Sequence, residues 1–262
     1  MTNTDLLAET PDIETSSADY ASRFSGRAGE YFLEVQAQTV SEALAGLTPG
    51  TVLDVGGGPG TYSVLLAQAH PQRVLGLVLR GVFLATTREI DWFMHGIRTI
   101  FPEAWGAFAG FLPADERADL LRSYHRRLTD PDPAVHLPAA HAWDRYESAC
   151  STLLPQPDAA AKFDGDAAAL AIARIEAHYF VHEGFLAPDQ LLHGVPRIRH
   201  LPCTIVQGRY DIVCPPVTAD ALARAWPEAE YVVVPDAGHS VREPGITREL
   251  IAAVRRMQAR LG

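Results

Sequence analysis

A chain of 262 residues, 47% hydrophobic and 21% charged, has ordinary globular composition and is long enough for one large α/β domain or for a core with an inserted cap. Its net charge of −10 and lack of any lysine- or arginine-rich run argue against nucleic acid or an anionic membrane surface as partner, because both require a basic patch. Cys150, Cys203 and Cys214 have neither metal-ligand spacing nor the density of a secreted disulfide scaffold, so no metal is expected. The opening lacks a signal peptide's basic and apolar regions, and no stretch approaches the ~18 apolar residues of a membrane span, so a cytoplasmic protein is expected.

In chain order, residues 1–17 are polar and acidic and read as a solvated tail. From Ala18 to Leu47 apolar residues recur at helical spacing up to Pro49-Gly50. Val52 to Pro71 then reads as a strand, the turn Gly56-Gly57-Gly58-Pro59-Gly60, and a helix closing at His70-Pro71. Val74 to Leu79 is a continuous apolar run, expected of a parallel strand covered on both faces, so residues 18–84 hold the lead-in helices and the first βαβ unit. Residues 85–192 turn aromatic and helical with proline breaks and read as a helical cap. The core resumes over 193–262, with strands at Cys203–Gln207 and Tyr231–Val234, a helix from Val217 to Trp226 between them, and a last amphipathic helix from Thr247 to Leu261.

A tight glycine turn at the mouth of a parallel sheet either cradles a ligand on backbone N–H groups or presents a nucleophile. The two later strands are each followed at once by a polar loop, Gln207-Gly208-Arg209-Tyr210-Asp211 and Asp236-Ala237-Gly238-His239-Ser240. An Asp and then a His on successive post-strand loops is the chain order of orienting acid and base in α/β-hydrolases, where the carboxylate fixes the imidazole tautomer. The alternative is a turn Asp and an unrelated surface His.

Several longer stretches carry a more specific resemblance: AQAHPQRVLGLVLRGVFL, WFMHGIRTIFPEAW, DPAVHLPAAHAWDRYESACSTLLP, ARIEAHYFVHEGFL, VQGRYDIVCPP and AGHS. In this order, over about residues 64–262, the chain resembles the proline iminopeptidases, α/β-hydrolases that release an N-terminal proline. The resemblance implies an α/β-hydrolase-like parallel sheet, truncated at its N-terminal side, with an inserted helical cap. It implies Asp211 and His239 as acid and base, Glu147 and Glu176 as carboxylates for the substrate's free amine, and Phe83, Trp92 and Phe180 around the proline ring. Tyr146 stands where the family usually has Trp. Both glutamates sit among aromatic residues, where a carboxylate without a cation is costly to bury and a substrate ammonium would supply one. The alternative is a pair of solvated glutamates bridged to Arg145 or Arg174. Cys214 is expected to be a packed thiol with no cation beside it.

The first quarter departs from this pattern. Within residues 1–66 neither the family's HGGPG oxyanion loop nor its G-x-S-x-G elbow appears, and Gly58 falls at the nucleophile's position; counting back from His70-Pro71 gives Gly57 instead. Residues 18–66 resemble the start of a class I S-adenosylmethionine-dependent methyltransferase, whose first motif would be Asp54, Gly56, Gly58 and Gly60. Yet the next strand ends in Arg80, where such an enzyme needs a carboxylate for the ribose. The leading expectation is a proline-iminopeptidase-like serine hydrolase acting on small peptides, without a cofactor and with activity weakened or lost. The alternatives are an S-adenosylmethionine-dependent methyltransferase and a non-catalytic binder of N-terminal-proline peptides. Pairing of a second copy at the sheet edge, giving a homo-oligomer, stays open.

Overall fold

The computed structural model describes residues 60–154 and 165–261, all within one unit of the chain, residues 46–262. The polar tail, the lead-in helices, the strand before the glycine turn and the positions Asp54, Gly56 and Gly58 lie outside the described residues. Gly60 is described: it is buried, takes a left-handed φ of 80°, and opens helix α1, Thr61–Ala69. That helix ends at His70-Pro71 as its sequence predicts, since proline cannot continue it.

The described strands, β1 (Leu77–Arg80), β2 (Cys203–Gly208) and β3 (Glu230–Val234), form a parallel sheet in that order, with Leu79 opposite Ile205 and Ile205 opposite Tyr231. The first of these is shorter and later than the apolar run 74–79 suggests. Leu77 donates its N–H to the Pro202 carbonyl, and proline, lacking an N–H, offers nothing to extend the ladder further back. Gly76 also runs against the C-terminal helix α9 (Pro244–Leu261), where a Cβ would meet the Met257 sulfur at 2.5 Å. Side chains alternate between the sheet's faces. Leu77, Leu79, Cys203, Ile205 and Tyr231 join one cluster with Trp226 and Leu191, while Val78, Val206 and Val234 meet Ile246 and Ala253 on the other. The first face is covered by α1, α7 (Gln190–Gly194) and α8 (Pro216–Ala225), the second by α9 (Pro244–Leu261).

Between β1 and β2 lies the helical cap: α2 (Thr87–Met94), α3 (Pro102–Phe111), α4 (Leu120–Leu128), α5 (Pro133–Cys150) and α6 (Asp166–Val181). Its start is set locally by a capping box, in which the Thr86 hydroxyl accepts from the Glu89 amide and the Glu89 carboxylate reaches back to the Thr86 amide. The cap has its own aromatic core. Phe108 stacks on Tyr124 at 4.3 Å and on Tyr146 at 4.4 Å, against the fully buried Trp143. Tyr146, the departure noted above, keeps its hydroxyl satisfied on the Phe93 carbonyl at 2.7 Å. No helix among the described residues is long and apolar enough to cross a membrane.

The C-terminal end of β2 runs hard against the loop after β3. A Cβ at Gly208 would lie 2.0 Å from the Gly238 carbonyl oxygen, and that neighbour is backbone held by the loop after β3. Gly208→Ala is therefore expected to cost at least about 3 kcal/mol in urea unfolding, the upper range of overpacking. A loss below about 1 kcal/mol would show that the two loops have freedom to separate.

Candidate active site

Asp211 sits at the end of the turn after β2, 2% exposed. Its carboxylate accepts from the Cys214 amide at 2.8 Å and from the Gln207 side-chain amide at 3.1 Å. Both oxygens also face Nδ1 of His239, at 3.0 and 3.1 Å. With the Nδ1 proton donated to the carboxylate, Nε2 is left unprotonated and free to accept a proton. The His239 side chain is 14% exposed.

The loop bearing His239 is fixed from several sides. The Ser151 carbonyl, just past the end of α5, accepts from the amides of His239 at 3.0 Å and Ser240 at 2.8 Å. The Arg80 guanidinium, at the end of β1, donates to the His239 carbonyl. The next residue, Gly81, has a φ of 53°, and a Cβ there would stand 3.0 Å from His239 Cε1 and 3.5 Å from an Asp211 carboxylate oxygen. The strand end packs flat under the Asp–His pair for want of a side chain.

His239 borders a cavity of about 290 Å³ between sheet and cap. Phe83, Phe93 and Phe180 form its aromatic side, with ring centroids 5.5 Å apart for Phe83–Phe180 and for Phe93–Phe180. Tyr62, on the first turn of α1, meets Tyr179 at 5.1 Å and donates its hydroxyl to the Gly184 carbonyl. Glu147 of α5 and Glu176 of α6 project into the same space. The Trp143 indole N–H donates to Glu176 Oε2 at 2.7 Å, which orients that carboxyl. Burial, and then the adjacent Glu176 charge, hold the Glu147 carboxyl well above the usual range, and a hydrogen bond joins the two. Burial likewise raises Glu176.

Arg174 does not neutralise the pair. Its guanidinium donates to the carbonyls of Leu128 and Asp130, and no ion pair to either glutamate occurs among the described residues. Trp92 is also displaced from the expected arrangement: it does not line this cavity, because its indole N–H is tied to the Ile212 carbonyl at 2.7 Å. It lines a separate cavity of about 350 Å³ beside α8, away from the Asp–His pair. Cys214 is packed, as expected, and burial followed by the Asp211 charge pushes its thiol well up; Arg80 is near enough to pull the other way but does not prevail.

Sequence reasoning did not find Tyr62, Phe93, Tyr179 or Ser151, whose roles depend on contacts made across more than 50 residues of chain. It noted Arg80 only as the wrong sign for a ribose contact. In the structure its guanidinium donates to the His239 carbonyl, and a guanidinium there does not fit an S-adenosylmethionine ribose. The described part of the methyltransferase motif is Gly60 alone.

A family model for the alpha/beta hydrolase fold matches residues 54–244, which takes in the glycine turn itself. The proline iminopeptidase of Arabidopsis thaliana is 46% identical over 205 residues, covering 77% of this chain and 54% of that protein. A probable proline iminopeptidase of Leptolyngbya boryana is 48% identical over 76% of this chain and 63% of its own length, and the proline iminopeptidase of Neisseria gonorrhoeae 42% identical over 81% and 68%. The chain thus spans between about half and two thirds of the length of these relatives. With the parallel sheet, the inserted cap and these identities together, the chain belongs to the proline iminopeptidase family of α/β-hydrolases.

Proposed function

We propose that this chain recognises peptides with a free N-terminal proline and carries the acid and base, but not the serine, of a proline iminopeptidase. The observation that supports this best is the meeting, at one aromatic cavity, of an Asp–His pair and two carboxyls that have no ion pair among the described residues. A secondary ammonium would satisfy Glu147 and Glu176 together, with each charge-assisted hydrogen bond contributing roughly 1.5–3 kcal/mol. Phe83 and Phe180 would face the pyrrolidine ring. The cavity stands at the lower end of the roughly 300–1,000 Å³ common for ligand sites, which suits one small cyclic residue rather than a long side chain.

In a serine hydrolase His239 would take the nucleophile's proton while Asp211 holds the imidazole tautomer. Here the sequence at the turn is Gly56-Gly57-Gly58-Pro59-Gly60, without Ser, Cys or Thr. Turnover is therefore weak or lost, while binding, which draws on the cap, is retained. Methyl transfer has no support in the placement of Arg80.

Calorimetry with free and N-acetylated proline dipeptides tests recognition. Only the free amine should bind, and Glu176→Gln should weaken it about tenfold or more; equal binding of both dipeptides would remove the amine-recognition reading.

Rebuilding the turn tests the chemistry. Gly58→Ser creates G-x-S-x-G, but the residue after it, Pro59, has no N–H to serve as an oxyanion donor. One such donor is worth roughly 10²–10³ in turnover, so Gly58→Ser with Pro59→Trp should label with a serine-directed phosphonate and cleave a proline amide clearly better than Gly58→Ser alone. Equal reactivity would remove the oxyanion argument, and absence of labelling in both would mean that His239 does not serve this turn.

The raised Glu147 carboxyl also makes a stability prediction. Its folded value lies above the ordinary 4.5, so the native state holds more protons than the unfolded one between the two values. The stability this lends is full below about pH 4.5 and is lost as pH rises through the folded value. Glu147→Gln should accordingly be more stable than the parent at pH 8, with the gap closing toward pH 4. Urea unfolding at both pH values checks this, and a less stable variant at pH 8 would contradict it.

A further inference from the structure

Four residues beyond His239, immediately before α9, a carboxylate is buried that no step above uses. Glu243 is 6% exposed. Its Oε2 accepts the Gly238 amide at 2.6 Å and its Oε1 the Leu153 amide at 2.9 Å. Gly238 immediately precedes the imidazole, and Leu153 follows the end of α5, the helix that carries Glu147. The Glu243 backbone is itself fixed: its amide donates to the Ser240 carbonyl at 3.2 Å, and its carbonyl accepts the Thr247 amide at 3.0 Å in the first turn of α9. The negative charge thus sits at a helix N-terminus, which offsets part of the cost of burying it.

The space between these groups is closed. A Cβ at Gly238 would meet the Leu153 nitrogen at 3.0 Å and Glu243 Oε2 at 3.3 Å. The Ser151 carbonyl accepts both the His239 and Ser240 amides, and the Ser151 hydroxyl donates to the Glu147 carbonyl at 2.9 Å. One continuous set of hydrogen bonds therefore runs from Glu147's own backbone, through the end of α5 and the Glu243 carboxylate, to the backbone on both sides of the imidazole.

We infer that Glu243 is a positioning residue for His239: by latching the imidazole's loop to the end of the cap helix, it holds Nδ1 on Asp211 and keeps the base in register with the amine site. The role requires a carboxylate in particular. Two N–H donors converge on its two oxygens, whereas an amide of the same shape has one acceptor oxygen and would set its NH₂ against the other donor. An aspartate keeps the charge but lacks the reach to hold both amides. The inference rests on reading His239 as the base, yet its consequence is visible without turnover.

The experiment uses the full chain labelled with ¹⁵N and reads the ring nitrogens of His239, whose shifts report which one carries the proton. The parent should show the Nδ1–H tautomer, and Asp211→Asn should lose that preference, which marks the end of the scale. Glu243→Gln should move part of the way toward Asp211→Asn. Glu249→Gln, an acid-to-amide change elsewhere on α9, and Leu128→Ala, a destabilising change in the cap core, should both keep the parent's shifts. A folded Glu243→Gln with the parent's His239 shifts overturns the proposal whatever stability it loses, and so does a parent chain without the Nδ1–H preference. Should Glu243→Gln not fold, Glu243→Asp gives the same readout with the same two outcomes. The rebuilt turn fails separately. No phosphonate labelling together with a His239 tautomer that follows Glu243 would remove the hydrolase reading and leave the latch, and labelling with an unmoved tautomer would do the reverse.

Discussion

Everything at this site depends on how closely the end of β2 approaches the loop after β3. Gly208 has no side chain, so the Gly238 carbonyl can stand where a Cβ would otherwise be, and Arg209 and Tyr210 donate to the carbonyls of Val234 and Ala237 across the same gap. That approach brings Asp211 within hydrogen-bond reach of His239, two residues that neighbouring strands would otherwise hold several ångströms further apart. Gly81 extends the constraint to β1, where the absence of a side chain leaves room for the imidazole. Three strand ends thus meet at one point through missing Cβ atoms, a form of precision that costs conformational entropy and is tolerated where backbone must touch backbone.

Four carboxyl groups gather around this point, Asp211 and Glu243 buried and Glu147 and Glu176 half-buried, with no ion pair to lysine or arginine among the described residues, and they are held in three different ways. Asp211 accepts a backbone amide, a side-chain amide and the imidazole. Glu243 accepts two backbone amides at a helix N-terminus. Only the Glu147–Glu176 pair is left short of donors, with one indole N–H between them and a raised affinity for a proton. Structural carboxylates in a protein are normally satisfied by the protein; a pair that is not has an interaction still to make. A carboxyl so placed costs the folded chain stability where it ionises, because the desolvated charge is better solvated in the unfolded chain.

The cap and the sheet have separate hydrophobic clusters, but they are not joined by apolar contact alone. Trp92 reaches from α2 to the Ile212 carbonyl, and the end of α5 shares the Ser151 carbonyl and the Glu243 carboxylate with the His239 loop. Directional bonds of this sort set the spacing between the Glu147–Glu176 pair and the imidazole more sharply than packing of side chains would. The link between cap and imidazole runs through the end of α5 and not through the cap's hydrophobic core.

The sequence by itself determined the parallel strands, the helical cap and the Asp211–His239 pair, because buried strands are written as apolar runs and ligand-bearing loops follow them directly. It also singled out Glu147 and Glu176 through family resemblance and their aromatic surroundings. Only the tertiary structure decided where β1 begins, since Pro202 lies more than a hundred residues away in the chain from the run it interrupts. The same holds for the turning of Trp92 to Ile212, away from the place the family resemblance implied, and of Arg174 to the carbonyls of Leu128 and Asp130, away from the glutamate bridge of the alternative reading. Arg80, Gly81, Ser151 and Glu243 were invisible for one reason: each acts on His239 through a backbone atom or an absent side chain, and neither leaves a mark in the local pattern of residue types.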